Sequence, residues 1–191
     1  MLKDLIIKNR SYRRFDQYHP VGHSALTDLI DLARLSPSAA NLQPLKYILV
    51  TDQSKCAEVF SCLAWAGYLT DWPGPAEGER PGAYIVVLND TKIARKTDCD
   101  HGIAAQSILL GASERGLGGC IIGSIKRDEL RELLAIDEYL DILLVIALGK
   151  PREIVKLQNL SADGSIEYWR DSEGTHFVPK RPLSDLIIAK F

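Results

Sequence analysis

Apolar residues near the start of the chain recur at helical spacing. Leu2, Leu5 and Ile6 mark a short amphipathic helix over residues 2–9. Residues 12–21 read as extended, ending at Pro20. Ser24 then predicts the N-cap of a helix carrying Leu26, Leu29, Ile30 and Ala33 at i, i+3, i+4 and i+7, stopped before Pro37. Residues 46–51 switch to strand character, and Ser54 opens a further helix that ends near Gly67.

Beyond this point Pro73, Gly74, Pro75, Gly78, Pro81 and Gly82 predict a long irregular loop over residues 70–82. Loops of that length in a compact domain are usually functional. Residues 83–89 form an apolar strand. Asp100 predicts the cap of a long helix to about Arg115, with Gly116 as its left-handed terminator. Residues 117–123 read as a strand flanked by glycines, and residues 127–135 as a helix with Leu130, Leu133 and Leu134 on one face. The run 143–149 is apolar throughout, as expected of a strand covered on both faces. The tail offers short segments at 166–169 and 176–178 on either side of a turn at 171–174, and a short helix after Pro182. This order predicts a single α+β domain over residues 1–191, with helices around one sheet of about four to five strands.

Composition adds exclusions. Hydrophobic content of 46% and charged content of 25% are those of an ordinary globular chain. A formal net charge of −2 supplies no overall field for nucleic acid or an acidic membrane surface, so any anion site is local. Neither a secretion signal nor an apolar run long enough to span a bilayer is visible, and a cytoplasmic location is expected. Cys56, Cys62, Cys99 and Cys120 are scattered without a CxxC pair, which fits reduced thiols.

Local chemistry is concentrated in a few segments. Arg10, Ser11 and Arg13 offer guanidinium forks and a hydroxyl, a set suited to a phosphate dianion; a solvated basic face is the alternative. The loop Ser36-Pro-Ser-Ala-Ala-Asn-Leu-Gln-Pro44 combines hydrogen-bonding side chains with small residues that admit a flat ring, or else serves as a plain helix-to-strand turn. The glycines of residues 116–123 follow a helix and lead into a strand, the reverse of a dinucleotide fingerprint, yet they allow close backbone approach. Lys180 and Arg181 form a second basic pair before Pro182. Cys99-Asp100-His101 lacks further ligands at metal-binding spacing, so no metal site is assigned. Nor is any residue assigned as a catalytic acid, base or nucleophile. Trp65, Tyr68 and Trp72 read either as the roof of an aromatic substrate site or as core and interface residues.

The ordered set of residues 10–15, 36–44, 100–123 and Leu148-Gly-Lys-Pro151 resembles the FMN-dependent nitroreductase family. Its patterns read roughly Arg-Arg-Ser-x-Arg-x-Phe and Pro-Ser-x-x-Asn-x-Gln-Pro. The chain departs from them at Asn9, where many members have arginine, and at Leu45, where many have an aromatic residue. The resemblance implies a three-layer α/β/α fold with a mainly antiparallel central sheet, assembled as a homodimer. It implies that Arg10, Ser11, Arg13, Lys180 and Arg181 hold the phosphate of FMN. By the same resemblance Pro37, Ser38, Ala39 and Asn41 line the flavin from the partner subunit, and backbone at Ile122 and Gly123 meets the flavin N5 region. NADH or NADPH would supply hydride, and a nitroaromatic, a quinone or a similar small electron acceptor would receive it in a ping-pong scheme. Dehydrogenase or flavin-modifying chemistry, or a non-catalytic dimeric binding module, are the alternative readings.

Overall fold

The computed structural model describes residues 1–191. They sort into two units, Met1–Trp65 with Gly74–Arg152, and Ala66–Pro73 with Glu153–Phe191. The first unit runs α1 (Leu2–Lys8), β1 (Phe15–Asp16), α2 (His23–Arg34), β2 (Leu45–Val50), α3 (Gln53–Ser61), β3 (Ala83–Asp90), α4 (Asp100–Glu114), β4 (Gly118–Ile122), α5 (Arg127–Leu134) and β5 (Leu140–Pro151). Every strand pair in its sheet is antiparallel: β2 with β3, β3 with β5, and both β4 and β1 with β5.

The period of two along β3 decides the layers. Ala83, Ile85 and Val87 pack with Leu26 and Leu29 of α2 and with Ala105, Ile108 and Ala112 of α4. Tyr84, Val86 and Leu88 pack with Cys56 and Val59 of α3 and Leu130 of α5. Strand β5 divides likewise, with Leu144, Ile146 and Leu148 on the first side and Val145 and Ala147 on the second. This is the α/β/α arrangement and antiparallel sheet expected from the sequence.

Several boundaries differ from expectation. Gly22, in extended conformation, is the N-cap of α2, so Ser24 lies inside the helix. Asp52 caps α3 by accepting the Lys55 N–H at 2.9 Å. That helix stops at Ser61 because Leu63 leaves it to bridge Ile125. The extended stretch 12–21 holds only the two-residue strand β1.

The glycines around β4 answer a packing need. A Cβ on Gly118 would lie 2.5 Å from Tyr12 Cδ2, and one on Gly119 would lie 2.5 Å from the Ala147 carbonyl oxygen. Gly149 leaves similar room for the buried Phe15. Gly116, at φ +71, terminates α4 as expected.

The second unit contains β6 (Val155–Asn159), β7 (Trp169–Arg170) and β8 (His176–Lys180), with β8 parallel to β6 and antiparallel to β7. This separate sheet is absent from the sequence reading. Trp169 stacks on Phe177 at 4.5 Å, and Arg170 Nη2 donates to Glu153 at 2.9 Å. After Pro182 there is one 3-10 turn, Leu183–Asp185, in place of the expected helix. No helix in the chain is long and apolar enough to cross a membrane.

The Gly119 geometry generates a test. Gly119→Ala sets a methyl group against β5 backbone, which cannot rotate away, and should lower stability by about 1–3 kcal/mol in urea denaturation. Gly123→Ala, where a Cβ meets nothing within 4 Å, should stay within about 0.5 kcal/mol of the parent.

Candidate functional site

The segment after α1 is tied down on both sides. Asn9 is buried, and its Nδ2 lies 3.5 Å from Gln106 Oε1 of α4. Ser11 bridges Gly119 in parallel, and the Tyr12 N–H donates to the Gly119 carbonyl at 3.0 Å. The structure therefore brings the Arg10–Arg13 segment alongside β4, the strand that ends at Ile122. Ser11 is exposed, whereas Arg10 and Arg13 are half-buried.

Arg10 is electrostatically incomplete. One terminal nitrogen donates to the Ile6 carbonyl at 2.6 Å, but Nε is buried with no partner. Desolvation lowers its pKa from the ordinary arginine value, because burial disfavours the charged form. An anion at Nε would relieve both conditions. Arg13 donates to the Ser11 carbonyl at 3.3 Å, which holds its side chain close to that hydroxyl-bearing residue. Arg14, by contrast, pairs with Glu79 at 3.3 Å.

The 36–44 loop is built around a residue that the sequence reading placed elsewhere. Asp100 is the first residue of α4, not its cap, and its carboxylate serves the loop. It accepts from Ser38 Oγ at 2.6 Å and from the Ala39 N–H at 2.9 Å. Ser38 Oγ in turn accepts from the Gln43 N–H at 2.9 Å. Ser36 Oγ lies 2.7 Å from Ser107 Oγ, one helix face further along α4. These anchors hold Ala40, Asn41 and Gln43 at φ 48, 55 and 52, a left-handed conformation that is unfavourable for non-glycine residues. The result is a fixed loop whose Pro37, Ala39 and Asn41 face outward while Ser38 is half-buried. A cavity of about 230 Å³ lies against it, lined by Ala33, Ser36, Pro37, Ser38, Tyr47 and Asp100 among others.

At the far end of β4, Ile122 is buried and Gly123 is exposed, with open space where a side chain would be. The Gly123 carbonyl accepts from Arg127 at 3.4 Å. Lys180, which ends β8, and Arg181 are both exposed on the second unit. The aromatic trio does not act as one group. The Trp65 ring lies 5.8 Å from that of Phe60, tilted by 31°, and covers Gly74. Tyr68 meets Tyr168 edge-on at 4.9 Å, and Trp72 lies under the Arg170 guanidinium at 4.2 Å, both inside the second unit. No three His, Cys, Asp or Glu side chains cluster to hold a metal ion, and no disulfide joins the cysteines.

Asp100 and Tyr47 were missed by sequence reasoning. Asp100 looked like an ordinary helix-start acid, and the one available signal was two hydroxyl-bearing residues in a loop rich in small residues. Removing the acceptor in Asp100→Ala strands the Ser38 hydroxyl and the Ala39 N–H, and should cost about 2–4 kcal/mol in denaturant unfolding; Asp100→Asn, which keeps one acceptor, should cost less. The Tyr47 hydroxyl is pushed from 10.0 up to about 12, first by burial and then by the Asp100 carboxylate. Folding thus favours its protonated form, so the contribution of this group to stability is intact below about pH 10 and is lost as pH rises from about 10 to about 12. Tyr47→Phe should lessen that loss, read as the difference from the parent because Cys56, raised to about 11, contributes in the same direction.

Comparison with known proteins identifies the family. The family model described as the nitroreductase family matches residues 6–68 and 75–150. The chain is 33% identical to an oxygen-insensitive NADPH nitroreductase of Helicobacter pylori, over 78% of this chain and 86% of that protein. Among solved structures, a nitroreductase family protein of Streptococcus pneumoniae superposes with a TM-score of 0.73 over the whole of both chains at 18% identity. An FMN-dependent nitroreductase of Clostridium difficile gives 0.63 at 24% identity, over 78% of this chain and 86% of that one. With more than half of its length under the family model and its fold shared with those structures, this chain belongs to the nitroreductase family.

Proposed function

We propose that the chain is an FMN-dependent NAD(P)H oxidoreductase that acts as a homodimer on a nitroaromatic, a quinone or a related small electron acceptor. The observation that carries this reading is the unpartnered, buried Nε of Arg10 on a segment bridged to β4 through Ser11 and Gly119. These residues fit a phosphorylated ligand: they offer uncompensated positive charge, a hydroxyl and a rigid backbone. Names of the relatives point the same way. An NADPH nitroreductase and an FMN-dependent nitroreductase are among them.

In this reading Arg10, Ser11, Arg13, Lys180 and Arg181 hold the FMN phosphate, and Ile122 and Gly123 present backbone to the ring system. Pro37, Ser38, Ala39 and Asn41 contribute from the partner subunit, held in place by Asp100. Bound there, FMN would supply a two-electron carrier that takes hydride at N5 from NADH or NADPH and passes it on in a ping-pong sequence. The protein's own work is then to bind, orient and exclude water, which requires no acid–base pair. Exposed apolar residues support the dimer: Leu2, Ile6 and Ile7 on α1, and Leu183, Leu186, Ile188 and Phe191 in the tail.

Purified protein, reconstituted with FMN where necessary, should show flavin absorbance that bleaches anaerobically with NADH or NADPH and returns with a quinone. Protein that takes up no FMN sinks the proposal; flavin that neither nicotinamide bleaches moves the chain to the dehydrogenase or flavin-modifying branch. Arg10→Ala and Arg13→Ala should each weaken FMN binding by about 10–100-fold, as expected for loss of one charge-assisted contact.

A further inference from the structure

Arg80 is a second guanidinium left without a counter-charge, and its surroundings form a pocket that the flavin reading does not use. A cavity of about 40 Å³ lies beside the first turn of α3, lined by Gln17, Gln53, Cys56, Arg80, Gly82 and Tyr84 among others. Tyr84 is fully buried, and its hydroxyl has no hydrogen-bond partner. Its place on β3, registered with Val50 on one side and Ala147 on the other, fixes the ring. Arg80 Nε is also buried and unpartnered, while the guanidinium lies 4.5 Å over the Phe60 ring.

Two of the other lining side chains already have partners. Gln17 Oε1 accepts from the N–H groups of Gly78 at 2.8 Å and Arg80 at 3.3 Å. Cys56 Sγ donates toward the carbonyls of Val50 and Gly82. No acidic side chain lines the cavity. Of the neighbouring acids, Glu79 pairs with Arg14 and Asp52 caps α3. Arg80 and Tyr84 bring a cationic N–H donor and a phenolic O–H to the space, and the Gln53 carboxamide beside them is neutral. A water molecule would satisfy the donors but would leave the half-buried charge uncompensated, which is the larger penalty. The volume is about that of one or two waters, too small for a phosphate ester or an aromatic ring.

We propose that this pocket binds a small planar monovalent anion, of the size of formate or nitrate, between the Arg80 guanidinium and the Tyr84 hydroxyl. Such an ion matches the fork geometry of arginine and accepts from both donors. It would join the 78–82 loop to the first turn of α3, and so stabilise the first unit independently of any flavin.

Thermal unfolding of the full chain in sodium formate, at constant ionic strength, tests the site against Tyr84→Phe and Arg80→Gln in the same buffers. The parent should show a saturable rise in Tm of about 3–6 °C by about 100 mM formate. Both variants should lose more than half of that rise, whatever their own baseline stability. Tyr84→Phe keeps the ring and its packing, so it should still fold if Arg80→Gln, which also loses the contact with Phe60, does not. An equal rise in parent and Tyr84→Phe, or no saturable rise in the parent, overturns the proposal. So does a Tyr84→Phe protein that is less stable by the same amount in every salt, since that is the behaviour of a pocket holding water alone.

Discussion

The hydrogen-bonded length of β5 is the constraint on which the first unit depends. One edge of this strand pairs with β3 from Leu140 to Leu148. Along the other edge β4 occupies residues 145–149 and β1 takes over at Lys150 and Pro151. Chain entering from the N-terminus is therefore obliged to pass β4 before it joins the sheet at Phe15. That is why Ser11 meets Gly119, and why the basic segment lies beside a strand more than a hundred positions away in sequence. Close approach of this kind leaves no room for side chains at Gly118, Gly119 and Gly149. The glycine-rich run first reads as a place for a ligand. Gly118 and Gly119 are instead taken up by the protein itself, and Gly123 alone faces open space.

Helix α4 carries the second constraint. Its N-terminal Asp100 secures the 36–44 loop, while Gln106 and Ser107 further along receive Asn9 and Ser36. Six residues of helix span about 9 Å, so two segments with no sequence relation are fixed at a set spacing by one rigid element. The loop's left-handed residues would be unfavourable in isolation. The Asp100 carboxylate, buried and accepting from both Ser38 and Ala39, offsets that strain. Asn9 serves the scaffold in the same way, buried against α4 beside Gln106.

Much of this was legible because local and tertiary signals agreed. Leu26, Leu29 and Ala33 are the buried face of α2, and the apolar run ending at Gly149 is the strand covered on both sides. Gly116 terminates α4 as a left-handed cap should. Failures fell where one outweighed the other. Phe60, Cys62 and Leu63 continue the apolar pattern of α3, but Leu63 is drawn off to pair with Ile125, so the helix ends early. Val155–Asn159 is short and only partly apolar, and its parallel partner His176–Lys180 lies beyond a turn-rich stretch, so pairing could not be inferred from either segment alone. The role of Asp100 was hidden for a related reason: a helix-start acid has an adequate local explanation, and nothing in one sequence shows that a distant serine competes for it.

Charge placement gives the last step. The chain is nearly neutral, so its electrostatic specificity lies in which cations have been given partners. Arg14 has Glu79, and Arg170 has Glu153 together with the Trp72 ring. Those two are scaffold, neutralised where they stand. Arg10 and Arg80 are different: neither forms an ion pair with a carboxylate, and each keeps a buried Nε without a hydrogen-bond partner. Burying a donor of a charged group without a partner is unfavourable by enough that a merely structural arginine would be expected to point to solvent or find a carboxylate. Their surroundings then separate what each can take. Arg10 stands next to exposed Ser11 on a surface segment, open to a large phosphorylated ligand, whereas Arg80 shares a space of about 40 Å³ with a buried phenol. The same chemistry at two scales of access separates the proposed cofactor site at Arg10 from the proposed small-ion site at Arg80.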